Sequence, residues 1–224
     1  MSSARDEILG TIRRSLGVTG KERPRVTEVE NRLAGSPRGL VPERGQLSGE
    51  ALRALFRAQA EATLATYVEV DDPSQVPAAI ADYLRNNNLP ARVRMGEDLR
   101  LAAMPWQDTA LEVGKGRSDG GDLVAVNHAF GAVAETGTLA MTSGAENPTT
   151  LNFLPDYAIA VVSEKDITGD YESLWDRIRA EHGKGLMPRT VNWITGPSRS
   201  GDIEQTILLG AHGPRSVHIV VVKS

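Results

Sequence analysis

Residues 191–222 read VNWITGPSRSGDIEQTILLGAHGPRSVHIVVV, and the fold turns on how they are parsed. Val191–Thr195 is an apolar run with β-branched residues that reads as a strand, broken at Gly196-Pro197 by a turn signal. Ser198-Arg199-Ser200-Gly201 leads into a short predicted helix with Asp202 as N-cap and Gln205 three residues on, a variant capping box. Ile203, Ile207 and Leu208 give this helix one apolar face, and Gly210 ends it. After a second turn at Gly213-Pro214, Val217–Val222 reads as a buried strand. The expectation is therefore one βαβ-like unit with an unusually polar first loop.

Free backbone N–H groups at a helix start favour an anion. Arg199 adds a fork of donors suited to carboxylate or phosphate, and Ser198 and Ser200 add hydroxyls. Gly196, Ser198, Arg199, Ser200, Gly201 and Gly213 are thus candidate ligand-binding residues, with Asp202 and Glu204 at the same helix start. The plainer alternative is a capped helix after a tight turn, satisfied from within by Asp202 and Glu204.

Outward from this stretch, 224 residues suffice for one α/β domain with an extension. The net charge of −4 disfavours bulk binding to nucleic acid or anionic membranes. The charge is uneven. Residues 1–57 hold 11 Lys and Arg against 7 Asp and Glu, whereas the remainder is acidic. A basic arm for an acidic partner is one reading, a solvated basic surface the other. The absence of cysteine excludes a disulfide, a Cys nucleophile and a Cys-held iron–sulfur cluster in this sequence, and it fits a reducing cytoplasm. MSSARDEILGTIRRSLG lacks the apolar core of a signal peptide, and no apolar run is long enough to span a membrane. A soluble, cytoplasmic protein is the expectation.

Ala4–Leu16 reads as an amphipathic helix with Ser3 as cap. Gly17–Gly49, with three prolines and no sustained period, reads as a long irregular segment, so the predicted division is an arm over 1–47 and an α/β domain over 48–224. Beyond it, helices over Glu50–Thr66 and after Asp72 alternate with short strands at Tyr67–Val70 and Ala91–Met95. A short helix over Glu97–Ala103 and a strand at Leu111–Val113 follow. Gly114–Gly121 lacks the order of a phosphate loop and reads as a flexible connection. Leu123–Val126, Ala132–Ala134, Leu139–Met141 and Ala158–Val162 are strand-like, Asn147–Pro155 is an irregular connection, and Tyr171–Glu181 is a helix. The alternation predicts a mainly parallel sheet with helices on both faces.

Glu135-Thr136-Gly137-Thr138 forms a polar hinge between two short strands. Glu135 reads either as a general base or nucleophile, or as a scaffold that satisfies nearby N–H groups. His128, in a predicted turn, is equally ambiguous. His212 has the better claim to chemistry, because it follows the short predicted helix and can face the same cleft as Ser198–Ser200. No His pair has metal-ligand spacing, and no dinucleotide fingerprint follows an early strand.

The segments Gly196–Glu204, Gly210–Pro214, Ala134–Thr138 and Leu154-Pro155 together resemble the LUD-domain family of lactate-utilisation proteins, LutC/YkgG-like in type. The resemblance covers roughly residues 50–224; Pro148-Thr149-Thr150 departs from it where relatives are expected to carry an arginine. It implies a three-layer α/β sandwich of the NagB/RpiA/CoA-transferase-like class. It also implies a non-redox subunit of an L-lactate-oxidising system that binds a small anionic ligand beside iron–sulfur partner proteins and holds no cofactor itself. Thr136, Gly137 and Thr138 join the ligand-binding set, and Glu135 and His212 are the catalytic candidates from their own chemistry and position; the resemblance carries over no catalytic residue. Two alternatives stand beside it: a transferase or ligase acting on a phosphorylated or CoA-linked small molecule, and a scaffold or regulatory binding module.

Overall fold

The structure is a computed structural model that describes residues 3–183, 185–200 and 208–223. The chain divides into two compact units, Met1–Leu40 and Val41–Ser224. In the first, α1 (Ala4–Leu16) starts on a capping box in which Asp6 N donates to Ser3 Oγ at 3.2 Å and Ser3 N donates to Asp6 Oδ2 at 3.2 Å. A second helix, α2 (Arg23–Gly35), lies inside the segment expected to be irregular. The prolines that suggested irregularity punctuate it instead. Pro24 sits in its first turn, where a missing N–H costs nothing, and Pro37 follows its end.

The second unit contains, in chain order, α3 (Gly49–Ala62), β1 (Thr66–Val70), α4 (Val76–Asn86), β2 (Arg92–Met95), α5 (Leu99–Ala102), β3 (Glu112–Lys115) and β4 (Val124–His128). There follow β5 (Gly131–Val133), β6 (Thr138–Thr142), α6 (Thr149–Phe153), β7 (Tyr157–Ser163), β8 (Ile167–Thr168) and α7 (Tyr171–His182). The chain then forms β9 (Val191–Ile194), β10 (Arg199–Ser200), β11 (Leu208–Leu209) and β12 (Ser216–Val222). Six strands, in the order β1-β12-β7-β4-β2-β3, pair in parallel. The expected mainly parallel α/β sheet flanked by helices is thus what forms.

The central strands are apolar on both faces, as a doubly covered sheet requires. From β7 and β12, Ile159, Val161, Val220 and Val222 meet α4 through Val76, Ile80, Tyr83 and Leu84. Their alternates, among them Ala158, Ala160, Val217 and Ile219, face Phe56 and Ala60 of α3 together with a second, four-stranded sheet ordered β8-β5-β6-β9. Alanines at 129, 132, 134, 158 and 160 line this contact, and their small side chains let the two sheets approach closely. Leu174 of α7 covers the outer side of the second sheet against Val133 and Ala140.

The βαβ unit expected over residues 191–222 does not form. β9 pairs antiparallel with β6 in the smaller sheet (Leu139↔Ile194 to Thr142↔Val191), whereas β12 lies in the parallel one. Between them, Arg199–Ser200 pairs antiparallel with Leu208–Leu209, so the two leucines expected in or beside a helix are a strand. A short apolar run fits helix and strand alike, and the partner chosen in space decides. Asp202 and the rest of the predicted helix start lie outside the described residues.

Candidate functional site

The winding of the parallel sheet reverses between β2 and β4. From β2 the chain runs outward to β3, returns to β4 on the other side of β2, and continues outward through β7 and β12. In open α/β sheets the crevice beyond the strands' carboxyl ends at such a reversal is where ligands bind. Here a cleft of about 850 Å³ opens there. Its walls come from the segments after β2 and β4, the loop Ser143–Asn147, and α7.

Three residues past β2, Asp98 caps α5, accepting from Arg100 N at 2.8 Å. Arg100 folds back onto the same carboxylate, with Nη2 2.6 Å from Oδ2 and Nε 3.1 Å from Oδ1. These bonds use Nε and Nη2 and leave the Nη1 end of the guanidinium. Asp98 is 3% exposed. Burial pushes its carboxyl up, but Arg100, through its hydrogen bonds and its charge, outweighs that and holds it below the usual range.

His128 ends β4. Its Nδ1 lies 2.8 Å from Ala129 O, and because a carbonyl only accepts, Nδ1 carries the hydrogen and Nε2 keeps its lone pair. Burial, and after it the Arg100 charge, hold this imidazole below its ordinary value, so it is neutral at pH 7. On the opposite wall Arg177 donates to Asp166 O at 3.0 Å and to Asp166 Oδ1 at 2.6 Å, and its guanidinium lies over the Phe130 ring at 5.7 Å. The loop wall is held by Glu97 N donating to Ala145 O at 3.2 Å and by Asn147 Nδ2 donating to Thr142 O at 3.2 Å. Gly96 admits this loop, since a Cβ there would collide with Glu146 O.

The residues singled out from the sequence lie elsewhere. Glu135 is buried, and its Oε1 accepts from Tyr171 N at 3.4 Å, at the start of α7. Thr136, Thr138 and Tyr171 share their hydroxyls at 2.7–3.0 Å, and Thr138 reaches Thr195 at 2.7 Å. Gly137, at φ +68°, presses on the backbone of α3 at Gln59 and Ala60. This turn binds α3, α7 and the end of β9 to one another. In the C-terminal segment Ser198, His212 and Gly213 do meet. His212 N donates to Ser198 Oγ at 3.2 Å, Ser198 N donates to Pro214 O at 2.8 Å, and Gly213 abuts Ser198. Those two amides are thereby engaged within the protein. Arg199 is exposed and Ser200 buried on the β10–β11 pair, and Gly196 follows β9. Gly201, Asp202 and Glu204 lie outside the described residues. None of the described candidates, Glu135 to Thr138 or Gly196 to Gly213, lines the cleft.

Sequence reasoning passed over Asp98, Arg100, Arg177 and Asn147, and left His128 undecided. The available signal was positional: a Gly-Glu-Asp following one short strand and a His ending another, on strands whose adjacency no single sequence reveals. Among the described residues no group of three or more His, Asp or Glu is arranged to hold a metal ion, and no helix is long and apolar enough to cross a membrane.

Fold and cleft together define an α/β protein with a ligand-sized crevice at the reversal of a parallel sheet. Residues 123–222, the part of the chain that holds His128, the loop wall and α7, match the LUD domain model. The chain is 33% identical over 126 residues to lactate utilization protein C of Geobacillus thermodenitrificans, covering 53% of this chain and 52% of that protein. It is 37% identical over 91 residues to the protein of that name from Geobacillus sp. WCH70, covering 40% and 38%. The Bacillus subtilis protein of that name is 34% identical over 91 residues, again covering 40% and 38%. The chain thus spans about half the length, or less, of the curated relatives it matches. A crystal structure of a DUF162 family protein from Deinococcus radiodurans shares the fold, with a TM-score of 0.60 and 23% identity over 79% of this chain and 99% of that one.

Proposed function

We propose that this chain serves lactate utilization as a non-redox component that binds the hydroxy acid in the cleft between β2 and β4. Relatives named for lactate utilization support the substrate class. The observation that carries the placement is the meeting of Arg100 and neutral His128 beyond the carboxyl ends of adjacent strands. Lactate offers a carboxylate and a 2-hydroxyl. The free end of the Arg100 fork suits the carboxylate, and His128 Nε2 suits the hydroxyl proton. The resemblance to lactate-utilisation proteins implies that electrons from the substrate pass to iron–sulfur clusters on partner proteins, in the cytoplasm; this sequence, with no cysteine, offers no thiolate to hold such a cluster.

Titration calorimetry with L-lactate tests the seat. Arg100→Lys keeps a positive charge beside Asp98 but loses the planar fork, and is expected to weaken binding by about tenfold or more with the folded circular-dichroism spectrum retained. Unchanged affinity in a folded variant contradicts the assignment. Lactate oxidation by this chain alone, with no redox protein added, contradicts the non-redox role.

A further inference from the structure

A three-carbon hydroxy acid fills only a few water volumes of roughly 30 Å³ each, so most of the 850 Å³ cleft lies beyond the Arg100–His128 seat. The wall facing that seat carries an ion pair that is only half used. Arg177 places Nη1 on Asp166 O at 3.0 Å and Nη2 on Asp166 Oδ1 at 2.6 Å, and these two bonds to one residue fix how the carboxylate is turned. Asp166 Oδ2 makes no hydrogen bond among the described residues and is not buried, and Arg177 Nε is unbonded too. The pair on the first wall differs. Both Asp98 oxygens are taken, by Arg100 and by the amides that open α5, so that wall offers a donor and the His128 Nε2 lone pair. The two walls are near each other. The Asp166 charge acts on both Arg100 and His128, which a charge does only within a screening length of roughly 10 Å. An acceptor beside a donor, inside a pair whose charges already cancel, suits a neutral group that both donates and accepts, and a hydroxyl is such a group.

We infer that the cleft takes a hydroxy acid longer than lactate, a polyhydroxy monoacid whose carboxylate and first hydroxyl sit on Arg100 and His128 and whose distal hydroxyls reach Asp166 Oδ2 and Arg177. This rests on the hydroxy-acid seat proposed above. One distal hydroxyl donates to Asp166 Oδ2 and its neighbour accepts from Arg177, an arrangement that a three-carbon acid is too short to complete. The far end of the ligand carries no second negative charge, because a carboxylate or phosphate there would face Asp166, Glu146 and Glu181 in the same lining.

Titration calorimetry on the full chain compares three acids. Beside L-lactate stand D-mannonate, a six-carbon acid with L-lactate's configuration at the carbon next to the carboxylate, and D-mannarate, in which a second carboxylate replaces the terminal hydroxymethyl group. D-Mannonate is expected to bind about tenfold tighter than either of the others. In Asp166→Asn, Arg177 holds the amide oxygen and the NH₂ stands where Oδ2 was, a donor in place of an acceptor. The ratio of mannonate to lactate affinity is then expected to fall about tenfold, since the loss of one negative charge affects both acids alike. With L-lactate bound, three results each overturn the inference and leave the lactate seat standing: D-mannonate bound no tighter than L-lactate, D-mannarate bound as tightly as D-mannonate, or an unchanged ratio in a folded Asp166→Asn. Binding of neither monoacid overturns both proposals. D-Mannonate bound with L-lactate too weak to measure supports the longer acid and counts against lactate as the ligand.

Discussion

Gly137→Ala is expected to lower the stability of the protein by about 2–5 kcal/mol. Two costs combine. At φ +68° an L side chain pays about 1–2 kcal/mol for the left-handed conformation. The new Cβ would also lie 2.6 Å from Gln59 C and 2.8 Å from Ala60 Cα, which are backbone atoms of a packed helix, and overpacking of this kind costs about 1–3 kcal/mol. Gly116→Ala separates the two. It has φ +100° with nothing within 4 Å of the added carbon, so it is expected to show only the conformational cost. Urea unfolding followed by tryptophan fluorescence measures both. A Gly137→Ala variant no less stable than Gly116→Ala would mean that the Glu135–Thr138 turn is not the joint between α3, α7 and β9 described above.

Acidification is expected to remove about 3 kcal/mol of stability through His218 alone. This side chain is 5% exposed, stacked 4.0 Å from the Tyr83 ring, with Nδ1 2.8 Å from Thr66 Oγ1 and Nε2 without a partner. Burial pushes its pKa from 6.5 down to about 4. The unfolded chain therefore binds a proton between those values that the folded chain refuses. The contribution is complete above pH 6.5, falls as the pH drops toward about 4, and is absent below it. A shift of this size corresponds to about 3 kcal/mol. In His218→Gln, which cannot take up a proton, the fall in stability between neutral pH and the lower value is expected to be smaller than in wild type by about that amount. Parallel stability–pH curves for the two proteins would exclude this linkage.

Much of the second unit was legible because its central strands obey simple rules. Ala158–Val162 and Val217–Val222 are unbroken apolar runs, which is how a strand covered on both faces must read. Ala4–Leu16 was legible from the helical spacing of its apolar residues, with Ser3 at its N-cap. What escaped was pairing. Val191–Ile194 is a strand, as its composition suggests, but nothing local says that its partner is β6 in a second sheet rather than β12. Leu208 and Leu209 fit helix or strand equally well. The same limit governed the candidate site. Ser198, His212 and Gly213 lie together, and their hydrogen bonds are largely internal. The cleft is assembled from Arg100, His128 and Asn147, residues with no motif between them, brought together by strand order alone.

The cleft and the C-terminal loop are therefore competing seats for a small anion, and one measurement decides between them. In a ¹⁵N-labelled sample titrated with L-lactate, the account predicts that the backbone amide signals of Ala129 and of Ser143–Asn147 shift with a common saturating curve, and that Ser198, Gly210 and His212 do not move. Saturating shifts at Ser198, Gly210 and His212 with the cleft amides unmoved would contradict it and place the ligand on the β10–β11 segment.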